Sequence, residues 1–229
     1  MIASVHMCDT NVVRNLTRLA PKPAQVEGLR WCRKALCAEP SPGPRPSVQL
    51  GRGGILAWWD DDAALNRFLA EHPKAAPFRD GWSVRLRPTR SRATWPKADF
   101  NPFPEKNQRH DGVHVALTLG TARLPSFPRF MKVSGNLEEQ FVNDEHGLWG
   151  LAMTLPPRIV MTMTFWSSQD ATDAYIHSGA HGAAIRDHYD LRTDVHEFVS
   201  DGGFFGFQPY AMTGRLSGKN PTPESLVNT

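Results

Sequence analysis

The sequence predicts an α+β fold: two fused ferredoxin-like repeats that pack sheet to sheet into one barrel-like core. Three observations carry this. Strand-like and helix-like segments follow the same order in both halves. The halves share residues at a constant offset. A Pro-rich stretch divides the chain near its middle.

In the first half, Met1 to Met7 reads as a strand and Gln25 to Leu36 as a helix. A Pro-rich run, Glu39 to Pro46, interrupts the chain. The β-like run Gly54 to Ala57 ends in Trp58-Trp59. Asp60 to Asp62 then cap a helix with Leu65, Phe68 and Leu69 at helical spacing. His72-Pro73 breaks that helix, a short second helical piece follows, and Ser83 to Arg87 closes the unit as a strand.

The second half repeats the plan. Val113 to Ala122 is a strand, and Pro125 to Val133 and Leu137 to Val142 are helical. Ile159 to Thr164 runs into Phe165-Trp166, and Ser167 to Asp170 cap a helix carrying Ala171, Ala174 and Tyr175. A break comes at Ser178-Gly179, and Phe204 to Met212 closes the unit. An offset of 107 places Trp59 on Trp166, Ala64 on Ala171, Ala76 on Ala183, Arg79 on Arg186 and Asp80 on Asp187, without a gap. The expected division is residues 1–97 as the N-terminal repeat, 98–112 as a Pro-rich linker, 113–220 as the C-terminal repeat carrying the functional site, and 221–229 as a tail.

Composition narrows the function. Twelve Phe and seven Trp in 229 residues need a core, which excludes a wholly disordered chain. A net charge of +3 is too mild to point to nucleic acid. Arg85, Arg87, Arg90 and Arg92 come closest to a basic patch. They read as an exposed strand face, or as partners of a carboxylate or propionate. Three cysteines, Cys8, Cys32 and Cys37, make no disulfide set and no zinc site, so inert thiols in a reducing, cytoplasmic setting are expected. No apolar run approaches a membrane span, and no signal peptide is visible. Neither a G-x-S-x-G elbow nor H-E-x-x-H occurs, which argues against a hydrolase or zinc peptidase.

Several segments carry a family resemblance. They are Ile55 to Asp61, Trp82 to Arg87 with Pro88-Thr89, Trp95, Thr162 to Trp166, His181-Gly182-Ala183-Ala184-Ile185-Arg186 and Gly218-Lys219-Asn220-Pro221. Through these the chain resembles the spheroidene monooxygenase family of acyclic carotenoid ketolases, from about Gly53 to the C-terminus. The first 50 residues and Leu148 to Leu151 depart from it. The resemblance implies a dimeric α+β barrel, a homodimer and b-type haem. It also implies oxygen insertion into an apolar small molecule, drawing on dioxygen and an electron donor. A haem-dependent dehydratase or rearrangement enzyme of the same fold, and a cofactor-free binding protein, stand as alternatives.

Haem iron needs a neutral imidazole or a similar donor. His181 is the first choice for the metal, since it lies in the family-like run and Lys74 occupies its place in the first half. His177, four residues earlier, is the second choice. Arg186, five residues after His181, is the candidate to pair with a propionate or polarise bound oxygen, although its match to Arg79 suggests a structural role. His114 reads as a satisfied sheet histidine, Met161 and Met163 as the lining of an apolar pocket, and Gly202 to Phe207 as a flexible turn and pocket wall.

Overall fold

The computed structural model describes residues 1–39, 47–123, 125, 138–155, 158–178 and 199–216. In chain order the elements are β1 (Ile2–Asp9), α1 (Val12–Thr17), β2 (Leu29–Glu39), β3 (Ser47–Trp59), α2 (Asp62–Glu71), β4 (Trp82–Ser91), β5 (His114–Ala122), β6 (Gly147–Leu155), β7 (Ile159–Trp166), α3 (Gln169–His177) and β8 (Val199–Thr213). Short 3-10 turns span Pro23–Gln25 and Pro73–Phe78.

The eight strands close into one antiparallel barrel in the order β1-β3-β2-β6-β7-β5-β8-β4. The first four strands lie side by side as β4-β1-β3-β2, and the last four as β8-β5-β7-β6. The seams are β2 against β6 and β4 against β8. The expected barrel-like core is present, but the two sheets join edge to edge rather than packing face to face. The β2–β6 seam is short, pairing Leu36, Cys37 and Ala38 with Thr154, Met153 and Ala152.

Alternate residues point inward along each strand. Ile159, Met161, Met163 and Phe165 of β7 meet Val115, Leu117 and Leu119 of β5 and Leu56 and Trp58 of β3 in the lumen. The segment between β4 and β5 also enters it. Trp95 and Phe103 are buried, with ring centroids 4.8 and 5.3 Å from Phe205. Trp58 lies 5.1 Å from Trp95 and 5.6 Å from Phe103. The lumen is therefore packed with side chains, and the helices cover the outer faces.

Two expectations are corrected. Residues 29–36 are strand, not helix. β2 buries side chains toward both the lumen (Trp31, Ala35, Cys37) and the outer face (Leu29, Cys32), so its apolar pattern lacks the alternation that marks a strand. The helix of this connection is the six-residue α1 instead. The strand β6 was not anticipated, because its Gly-, Trp- and Met-containing run shows no clean period. Residues 138–142 are helical as expected. Pro125 to Val133, apart from Pro125, and the tail 221–229 fall outside the described residues.

The helix caps follow the sequence. Asp61 accepts the Ala64 N–H at 2.8 Å to start α2, and Ser168 accepts the Ala171 N–H at 3.1 Å to start α3. Arg79 donates to the carbonyls of Leu69 and Ala70, both at 2.8 Å, which ties off the C-terminal turn of α2.

Candidate functional site

Helices α2 and α3 each cover a Trp at the end of a strand. Trp59 donates to Ser4 Oγ at 2.8 Å, and Trp166 donates to Thr164 Oγ1 at 2.8 Å. Both indoles are buried, as their place in the repeat pattern implied. The residues facing them across the ladder differ. Ile2 is the partner of Trp59, and His114 is the partner of Trp166. An imidazole therefore occupies, in the second half, the sheet position that an apolar side chain fills in the first.

His114 is fully buried. Its Nδ1 lies 3.0 Å from Nε2 of the half-buried His110, and the two rings stack with centroids 5.2 Å apart. Its Nε2 has no hydrogen-bond partner among the described residues. Burial, then the Arg90 charge, then His110 push its pKa down to about 3, so it is neutral at neutral pH. The expectation of a satisfied sheet histidine holds for only one of its two nitrogens.

Arg90 reaches this group from β4 and is 5% exposed. Its Nη1 donates to Asp173 of α3 at 2.5 Å, and its guanidinium sits 5.1 Å from the centre of the Phe204 ring. Nε and Nη2 have no partner among the described residues. Gly206 makes room for the pair: a Cβ there would lie 2.7 Å from Arg90 Cγ and 3.0 Å from His114 Cε1. An unpartnered buried donor or acceptor costs about 1–3 kcal/mol, and more when charged. Three of the eleven such atoms among the described residues fall on these two adjoining side chains. A neutral imidazole nitrogen can ligate a metal or take a proton, and a guanidinium with free N–H groups can hold a carboxylate.

The Arg run divides accordingly. Arg85 pairs with Asp62 at 2.5 Å and Asn66 at 2.6 Å on α2. Arg87 donates to Gln208 at 3.3 Å and lies over the Tyr210 ring. Arg87 and Arg92 are exposed, whereas Arg90 is turned into the outer face of the second half.

His177 sits in the last turn of α3 with an exposed side chain. His181 and Arg186 lie outside the described residues. Met161 and Met163 point into the packed lumen. Gly202 to Phe207 belongs to β8, with Phe205 and Phe207 in the lumen. Gly202 has φ +95 and backs onto the Leu119 carbonyl, which requires glycine. All three cysteines are free and buried, and burial pushes the Cys32 and Cys37 thiols up. Among the described residues, no three His, Cys, Asp or Glu side chains group as a metal site.

The signal that sequence reasoning passed over at this site was local. His114 is the one ionisable residue of its strand, at the residue facing Trp166.

No family model matches the chain. It is similar to spheroidene monooxygenase of Rubrivivax gelatinosus, with 26% identity over 185 residues, covering 77% of this chain and 67% of that protein. The resemblance carried by the sequence motifs is thereby borne out. Among solved structures, an aldoxime dehydratase in complex with butyraldoxime matches at 8% identity and a TM-score of 0.49, covering 91% of this chain and 79% of that one. A monooxygenase-like protein of Listeria innocua matches at 10% identity and a TM-score of 0.36, covering 93% and 96%. These two structural likenesses are too distant to bear on function.

Proposed function

We propose that the chain is a haem-dependent oxidoreductase of the monooxygenase type, acting on an apolar small molecule. It would be built from two ferredoxin-like repeats, 1–97 and 113–220, joined by the linker 98–112. The similarity to spheroidene monooxygenase carries this reading. The donor chemistry of the described residues supports the cofactor. Haem offers an iron that takes a neutral imidazole and two propionates that pair with cations. The outer face of the second half offers an unpartnered neutral imidazole and an unpartnered buried guanidinium.

In this reading His181, from the family-like run, holds the iron, with His177 as the second choice. Arg90 would hold a propionate, and Arg186, from the family-like run, would pair with one as well. The haem supplies dioxygen activation when bound. His114 stays neutral, with Nδ1 bonded to half-buried His110, and presents Nε2 to the group bound there. Trp166, Tyr175 and Phe141 keep the adjoining face dry.

The test is an absorption spectrum of the purified chain reconstituted with haemin, followed by dioxygen uptake with a reductant and apolar substrates. A Soret band with reductant-dependent uptake is expected. A Soret band with turnover that needs neither oxygen nor reductant would replace the oxygenase with a redox-neutral haem enzyme. Absence of the band would overturn the haem reading.

A further inference from the structure

We propose that the face formed by α1, Leu19 and Leu50 docks onto a bilayer surface carrying anionic lipid headgroups. α1 is turned the opposite way from a helix on a water-facing surface. Its buried side chain is polar: Asn15, 2% exposed, donates to the Leu50 carbonyl at 2.9 Å and the Arg52 carbonyl at 3.1 Å. Gly53 gives that amide its space, since a Cβ there would overlap it. The outward side chains are apolar: Val12 is 40% exposed, Val13 71%, Leu16 52%, Leu19 73% and the adjoining Leu50 50%. Single exposed apolar residues are ordinary, but a contiguous group marks a contact surface.

Charge selects the occupant. Residues 10–26 contain Arg14, Arg18 and Lys22 and no Asp or Glu. Arg14 and Lys22 are exposed. Arg18 is drawn inward onto Cys8 Sγ and the Phe78 ring. Lys34 reaches up to the Leu16 carbonyl at 2.9 Å. The flanking acids are engaged: Asp9 with Arg52 at 2.9 Å, and Glu27 with Arg67 at 3.3 Å. A two-fold pairing of this face with a second copy would set Arg14 and Lys22 against their own images, which opposes it. An anionic lipid surface satisfies both components. The leucines and valines enter the headgroup–acyl boundary while the cations meet phosphates. No helix among the described residues is long and apolar enough to cross a membrane, so this contact is peripheral. It is independent of the haem reading.

The test is co-sedimentation of the full chain with vesicles of phosphatidylcholine alone, or with about one-third phosphatidylglycerol added, at low and high salt, alongside its solution mass. Wild type is expected to bind the anionic vesicles about tenfold or more tightly than the neutral ones, and less so at high salt. Leu16→Ser with Leu19→Ser lowers binding to both vesicles about tenfold or more. Arg14→Gln with Lys22→Gln removes only the anionic preference. These side chains are exposed, so circular dichroism and melting should be unchanged. Should a variant misfold, the lipid and salt dependence of wild type decides alone. Wild type that binds neither vesicle overturns the proposal. So does a wild-type dimer that Leu16→Ser with Leu19→Ser splits without any vesicle binding, which makes the face an interface between copies.

Discussion

Under α2, the outer face of the first half is closed by thirteen buried apolar residues, with Ile2 set against Trp59. Under α3, the matching face of the second half has five among the described residues, with His114 set against Trp166 and Arg90 beside it. The capping, the indole-to-hydroxyl bond and the strand order are shared. What differs is the amount of apolar packing and the chemistry of the unpartnered polar atoms. Among the described residues the first face leaves only His6 Nδ1, beside Phe78, without a partner. The second leaves His114 Nε2 together with Arg90 Nε and Nη2.

The largest test of that contrast is at the two indoles. Trp59→Ala should cost about 4–5 kcal/mol and Trp166→Ala about 3, because the first sits in the larger apolar cluster. Urea unfolding measures both, and a greater loss at Trp166 would contradict the ranking.

Exchanging the facing residues comes next. Ile2→His should destabilise by about 2–3 kcal/mol, since the new imidazole arrives in an apolar site without partners. His114→Ile should be neutral or stabilise by about 1 kcal/mol, because it removes an unpartnered nitrogen. Equal losses from both exchanges would mean that His114 is a structural residue.

Gly206→Ala should cost about 1–2 kcal/mol, as its methyl group would press on Arg90 and His114. It should also weaken haemin binding, which an absorbance titration would report.

The last test is in the pH dependence. His6 in the first half and His114 in the second are both held neutral by burial, with pKa values of about 3 against 6.5 when unfolded. The unfolded chain binds those protons first, so the stability they confer is complete above pH 6.5 and is lost as the pH falls toward 3. His114→Ile should reduce the acid slope of the unfolding free energy by about 1.4 kcal/mol per pH unit, leaving the His6 share. An unchanged slope would place His114 in contact with solvent.

Much of the fold was legible in the residues. The Trp pairs, the Asp61 and Ser168 caps and the offset of 107 mark two similar halves because local chemistry repeats there. β2 was not legible, because a strand buried on both faces loses its period of two. Trp95 and Phe103 were placed in a boundary segment, and only tertiary packing shows that they fill the lumen. The site was half legible. The Arg run announced a possible anion partner, but only the registers of β4 and β5 on β8 bring Arg90 to His114.

The most direct test of the central contrast is a haemin titration followed at the Soret band, comparing Arg90→Gln on the second face with Arg85→Gln on the first. The expected result is a Soret band with wild type and Arg85→Gln, about tenfold weaker binding with Arg90→Gln, and no band with His181→Ala. Equal weakening by the two arginine variants, or no band in any of them, would contradict a site confined to the second half.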